Sequence, residues 1–181
     1  TRDIDILSEL ARYQCIGVTI SITTLDTRLA SLMEPRASTP ARRLSAIREL
    51  SEADIPVGYL QAPMIQGLTD AEAPAIAQAA AQAGARFCGY VALRLPHAVK
   101  LLFEQWLEQH YPGRKEKILN HIRSIRGGKL NDANFKSRMR GEGIFAAQMA
   151  ELFRLAQKKA GIHERWPKLS AEHFQRPSKN Q

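Results

Sequence analysis

Along the first hundred residues the apolar positions alternate between two periods. Ile4, Leu7, Leu10 and Ala11 recur at helical spacing behind Asp3, a candidate N-cap. Residues 17–23 then alternate strictly, with Val18, Ile20 and Ile22 against Thr19, Ser21 and Thr23, which predicts a strand. Thr39-Pro40 reads as an N-cap followed by proline in the first turn of a helix carrying Leu44, Ile47 and Leu50. A second strand is predicted over Pro56 to Ala62. Thr69 and Glu72 form a possible capping box before an alanine-rich helix that ends near Gly84, and a third strand covers Arg86 to Leu93.

Helix and strand in this rhythm mean βα units and a parallel sheet. Right-handed crossovers place the helices on one side of a curling sheet. Three strands are too few to close such a sheet, and the chain opens on Thr1 rather than on methionine. Both features fit a piece of a longer protein with strands upstream. After Pro96 only helical periodicity remains: Val99, Leu102, Phe103, Trp106 and Leu107, then Ile118, Leu119, Ile122 and Ile125, closed by Arg126-Gly127-Gly128-Lys129. A last helix runs from about Ile144 to Ala160. The expected organisation is a partial βα-barrel half over 1–96, a helical extension packing on it over 97–161, and a basic, loose tail over 162–181.

Hydrophobic residues make up 44% of the 181 and charged residues 24%, which suits a soluble globular domain. No run approaches the roughly 18 apolar residues of a membrane span, and no secretory leader is visible. The expectation is a cytoplasmic protein without membrane contact. Cys15 and Cys88 are far apart and read as small buried hydrophobes rather than a disulfide framework. Net charge is +8, and residues 110–140 alone hold nine Lys/Arg against two Asp/Glu, so +7 of it lies in one segment.

Ligands of parallel α/β sheets gather at the C-terminal ends of the strands. There the first strand offers Ser21, Thr23 and Asp26, the second Gln61, Pro63 and Met64, and the third Arg94. A strand with hydroxyls along one face suits a polar lumen, although threonine also favours strands for its own reasons. Arg94 is a candidate fork for a carboxylate or phosphate, or an arginine reaching solvent. The loop Glu34-Pro35-Arg36 lies at the same end, either lining a pocket or pairing its own charges. His97, His110, His121, His163 and His173 lack zinc-like spacing, and no P-loop, nucleophile elbow or dinucleotide fingerprint is present. Arg123, Arg126, Lys129, Lys136, Arg138 and Arg140, interspersed with aromatics such as Tyr111 and Phe135, are the candidate contacts to nucleic acid. A solvated helix face is the plain alternative.

Several blocks in order carry a family resemblance: Ser21-Ile22-Thr23-Thr24-Leu25-Asp26, Leu32-Met33-Glu34-Pro35-Arg36-Ala37, Arg43-Leu44, Ile55-Pro56-Val57-Gly58 and the run Ala62 to Asp70. Gly84-Ala85, Gly89-Tyr90-Val91, Leu93-Arg94-Leu95-Pro96, Arg126-Gly127-Gly128-Lys129 and Met139-Arg140-Gly141 extend it. Over roughly residues 3–161 the chain resembles radical-SAM proteins of the spore photoproduct lyase-like group, often labelled DNA repair photolyases. The resemblance implies an α/β fold, the C-terminal half of a partial (βα)6 TIM-type barrel with parallel strands and outer helices, followed by a helical C-terminal extension. It implies a [4Fe–4S] cluster and S-adenosylmethionine in the parent enzyme, a lyase. Ser21, Thr23, Gln61, Met64 and Arg94 would then bind S-adenosylmethionine, with Glu34 and Arg36 in the pocket loops.

The three clustered cysteines of such an enzyme are absent from this sequence, and Cys15 and Cys88 lie on different elements. The expectation is a parent enzyme whose isolated C-terminal half holds no cofactor and is inactive without the N-terminal half. The alternatives are a basic α/β module that binds DNA or other nucleic acid without catalysis, and an α/β piece kept for structure or partner contact.

Overall fold

The computed structural model describes residues 2–135 and 137–176. It is a mixed α/β fold around a three-stranded parallel sheet, compatible with part of a TIM-like barrel. The chain begins with α1 (Ile4–Arg12) and enters β1 (Val18–Ser21). A short helix, α2 (Thr27–Met33), and then α3 (Pro40–Glu52) lead to β2 (Val57–Met64). Next come α4 (Ala73–Gln82) and β3 (Phe87–Ala92). Three helices complete the described elements: α5 (Val99–His110), α6 (Lys115–Ser124) and α7 (Ile144–Lys159).

The strands lie in the order β1-β2-β3. Val18 pairs with Val57, Ile20 with Tyr59 and Tyr59 with Cys88, so these share one face. Thr19, Gly58 and Phe87 lie in register on the other face, and Ser21 and Leu60 follow with Gly89. The first face is the dry one. Ile47 and Leu50 of α3, Ile76, Ala77 and Ala80 of α4, and Met149, Phe153 and Ala156 of α7 all bury against it. Alanine at the buried positions of α4 lets that helix pack against both β2 and α7. A second apolar cluster, Ile65, Leu95, Leu107, Ile118, Leu119 and Ile122, joins α5 and α6 to the loops leaving β2 and β3.

Local signals resolve in different ways. Thr39 caps α3, accepting from the Arg42 backbone N–H, with Pro40 in the first turn as its sequence predicts. Asp3 sits at the N-cap of α1 but makes no capping bond there. The capping box does not form. Thr69 instead accepts from Ile65 N at 2.9 Å, and Glu72 reaches across to the loop after β1. Helix α2 is too short to show periodicity in sequence; Asp26 makes it by capping Arg28 and Leu29 N–H. Asp26 is therefore a structural cap rather than a free carboxylate in a pocket. Pairing of β2 with β3 skips between Gln61 and Met64, where the Ala62–Pro63 peptide is cis.

Candidate functional site

The C-terminal end of β1 opens into a cleft of about 110 Å³ between the loop after β1 and the loop joining α2 to α3. Its centre is an ion pair set in a hydrogen-bond network, only part of which is legible in the sequence. Arg43, on α3, donates from Nη2 to Glu34 Oε2 at 2.9 Å, from Nη1 to the Ser21 carbonyl at 2.9 Å and from Nε to the Ser38 carbonyl at 2.9 Å. One guanidinium thus ties the end of β1 to two loop segments. Thr23 is buried, donates to the Ala62 carbonyl at 3.1 Å, and lies 3.5 Å from the same Glu34 oxygen. Side-chain exposure is 14% for Arg43 and 34% for Glu34, so the pair faces the cleft while its cationic half is largely desolvated. Such a pair is held more firmly than an exposed surface ion pair.

A second latch fixes the loop. Thr24 Oγ1 donates to Glu72 Oε1 at 2.6 Å, and Leu25 N donates to Glu72 Oε2 at 2.7 Å. Arg43 and Glu72 are the two residues that hold this end of the sheet. The signal for Arg43 was present in the Arg43-Leu44 block. That for Glu72 was read as a local cap, because a contact across 48 positions leaves no mark in spacing.

The remaining residues expected at the strand ends separate. Thr23 and Glu34 line the cleft, Ser21 meets it only through the carbonyl that accepts from Arg43, and Arg36 is exposed on the loop beside it. Gln61 is fully buried and donates to the Thr69 carbonyl at 3.0 Å, so it holds the loop after β2 rather than facing a lumen. Met64 is fully buried in the main core. Arg94 is half-buried at the end of β3, with its Nε buried and without a hydrogen-bond partner.

The basic segment also divides. Arg126 turns inward, 5% exposed, and donates to the carbonyls of Ser137, Ala92 and Leu93. Burial pulls its guanidinium below its ordinary pKa, with Asp132 opposing that shift and Arg94 adding to it. It pins β3 to the loop 125–141 and is not part of a basic surface. Arg123 is half-buried and bonds Asn120 at 2.8 Å, with Glu116 3.7 Å away. Lys129 is exposed, Arg138 stacks 4.5 Å above the Phe135 ring, and Arg140 stacks 4.2 Å above Tyr90. Lys136 lies outside the described residues. Phe135 is 78% exposed, whereas Tyr111 packs against Trp106 and is not displayed for stacking.

On the dry face, Tyr59 and Cys88 lie side by side. Burial pushes the Cys88 thiol up to about 11, so it stays protonated near neutral pH, and burial raises the Tyr59 phenol as well. Cys15 donates to the Leu10 carbonyl at 3.2 Å.

Residues 1–80 match the family model of the Radical SAM superfamily. Over 64 residues the chain is 42% identical to "Uncharacterized protein ORF301" of Acidianus two-tailed virus, a stretch that covers 35% of this chain and 21% of that protein. The chain therefore spans about a fifth of the length of the curated relative it matches. No solved structure matches the chain.

The matched region takes in α1, β1, the Glu34–Arg43 cleft and β2. A Radical SAM domain implies an iron–sulfur cluster and S-adenosylmethionine in the enzyme that carries it. Among the described residues no group of three His, Cys, Asp or Glu side chains is placed to hold a metal. The two cysteines are separated, one of them with a raised pKa, so the residues present do not fit the cluster. For S-adenosylmethionine the cleft offers hydroxyls and one carboxylate–guanidinium pair. Its volume is several-fold below the roughly 300–1,000 Å³ of a site enclosing a ligand of that size. It fits one polar end of such a molecule and not the whole. No helix among the described residues is long and apolar enough to cross a membrane.

Proposed function

We propose that this chain supplies the substrate-side strands of a radical-SAM enzyme of the spore photoproduct lyase-like group. In that reading β1, β2 and β3 are the last strands of a partial (βα)6 barrel, and the helices after Pro96 are its extension. The radical-SAM part of it is carried by the Radical SAM match over residues 1–80, which ends within α4 and contains the whole cleft, and the finer group rests on the sequence blocks that extend to Gly141. In the full enzyme the cluster and S-adenosylmethionine would supply radical chemistry that this chain's residues do not. This chain's part is to hold a polar end of the ligand. The side chains for it are Thr23 and Glu34, kept in place by Arg43, which also fixes the Ser21 carbonyl at the end of β1. The cluster must come from residues outside this sequence, so the chain alone is inactive. Arg94 adds a half-buried guanidinium at the end of β3, its Nε–H buried without an acceptor.

The test is the protein encoded with its upstream region, loaded with iron and sulfide. It is expected to carry three closely spaced cysteines and to cleave S-adenosylmethionine reductively to 5′-deoxyadenosine, while the isolated chain does not. Absence of cleavage by the loaded full-length protein overturns the proposal. A substrate that is DNA or another nucleic acid is the second reading, favoured by exposed Phe135 beside Arg138 with Lys129 nearby in sequence. It also covers a binding module without catalysis. Cytoplasmic location accords with both.

A further inference from the structure

The sheet's second face, which carries Thr19 and Ser21, is not covered by any of the helices of the main core. The segment after Ile162 crosses it. Trp166 packs on the Phe87 ring with centroids 4.9 Å apart, and a Cβ added at Gly89 would lie 3.3 Å from the Trp166 indole. A Cβ at Gly17 would lie 2.5 Å from Pro167 Cγ. The Phe87 ring lies flat along Gly58, where any side chain would collide with it. Further on, Ser170 N donates to the Gln14 carbonyl at 2.8 Å, and His173 meets the Tyr13 ring edge-on at 4.8 Å.

Two glycines therefore meet the segment: Gly17 leaves no room for a Cβ beneath Pro167, and Gly89 would bring one into tight contact with Leu60 and Trp166, while Gly58 makes room for the Phe87 ring on which Trp166 rests. That complementarity is what a seated segment requires and a passing tail does not. The fastening is nevertheless slight. Trp166 is 50% exposed, and Leu169 and Phe174 point largely to solvent at 60% and 72%. One backbone hydrogen bond, from Ser170, joins the segment to the chain around Gln14. Segments with few buried apolar contacts open well before the fold does.

We propose that residues 163–176 are a releasable strap that holds the strand-start half of this face closed. Phe87, 1% exposed, owes its burial to the strap, since it stands on the face that the core helices leave uncovered. Anything that reaches the row Thr19–Gly58–Phe87, whether a ligand or another segment of polypeptide, must first displace Trp166 and Pro167. The strap leaves the cleft at Glu34 and Arg43 untouched, because none of its residues lines that cleft. The inference does not depend on a radical-SAM cofactor, and its test contains none.

Trypsin is the probe for the full chain, read by mass at the bonds after Arg165 and Lys168. Wild type is expected to be cut at least tenfold more slowly there than a free peptide of residues 163–176. Gly17→Val, which displaces Pro167 from an exposed position, is expected to restore cutting to within about threefold of the peptide, with the thermal midpoint of the core unchanged. Trp166→Ala leaves the sheet sequence intact and is expected to do the same. A chain ending at Ile162 is expected to raise anilinonaphthalene sulfonate fluorescence several-fold. Equal cutting of wild type and peptide, or of wild type and both variants, overturns the strap, and so does unchanged dye binding on truncation.

Discussion

The two outer strands end in different ways, although both ends stand on the side where parallel sheets place their ligands. At the end of β1 the two bracing charges are hydrogen-bonded: Arg43 meets Glu34 and two carbonyls, and Glu72 accepts from Thr24 and Leu25. At the end of β3 cations predominate. Arg126 spends its terminal nitrogens on three carbonyls, and Arg94, Arg126 and Arg138 each keep a buried Nε–H with no acceptor. The first end is braced by the chain's own hydrogen bonds and one ion pair. The second is held by backbone carbonyls and leaves donors over. An enzyme's ligand-holding groups are commonly fixed by neighbours before the ligand arrives, as at β1; the leftover donors at β3 are buried, so an anionic partner there would meet the exposed cations instead.

The largest effect is expected from Arg126→Met. It removes the donor from three carbonyls around a side chain that is only 5% exposed, at a cost of about 3–5 kcal/mol. For a chain of this length that lowers the thermal midpoint by roughly 10 °C or more. Arg126→Lys cannot span three carbonyls and should recover less than half. A midpoint within about 2 °C of wild type for Arg126→Met would remove the role of β3's pin and with it the contrast between the ends.

Next is Arg43→Met, expected to cost about 2–3 kcal/mol, because Glu34 and the Ser21 and Ser38 carbonyls all lose their donor. The sharper measurement is a double-mutant cycle with Glu34→Gln. A coupling of about 1 kcal/mol or more is expected for a half-desolvated pair, against roughly 0.2–1 for an exposed one. Zero coupling would make the cleft's charge pair an incidental contact. Glu72→Gln keeps one of two accepted bonds and should cost only about 1 kcal/mol. Its local signature is faster hydrogen exchange at Leu25 N with little change elsewhere.

These residues also show what could be read in the sequence. The alternation at Val18, Ile20 and Ile22 gave β1 and its hydroxyl face, since period-two burial is a local property. The apolar spacings of α3, α4 and α7 were equally plain. Helix α2 was missed because seven residues around one cap carry no period. Gln61 and Met64 were expected in a lumen because they end a strand. The register skip after Gln61 sends one to the Thr69 carbonyl and the other into the core, and a skip is decided by partners distant in sequence. Arg126 was counted with the surface cations because charge alone does not say which side of a loop an arginine turns to. Residues 162–176 read as a loose polar tail, since nothing in their own composition reveals the glycines they lie on.

The smallest effects concern the cations left at the surface. If the β3 end meets a polyanion, the exposed members of the basic segment and not the buried one should set the salt dependence. A single-stranded oligonucleotide titrated at several salt concentrations would give log affinity falling linearly with log salt. Lys129→Ala should weaken binding a few-fold and reduce that slope by about one, with no change in thermal midpoint. Phe135→Ala should weaken binding by about 1–3 kcal/mol per stacked base while leaving the slope unchanged, because stacking releases no counterions. Arg126→Lys, which keeps the charge in its buried place, should leave both as they are in any protein that remains folded. Should Lys129→Ala and Phe135→Ala alter neither affinity nor slope, the surplus cations at this end serve the fold alone. The two ends of the sheet would then differ in how they are braced and not in what they bind.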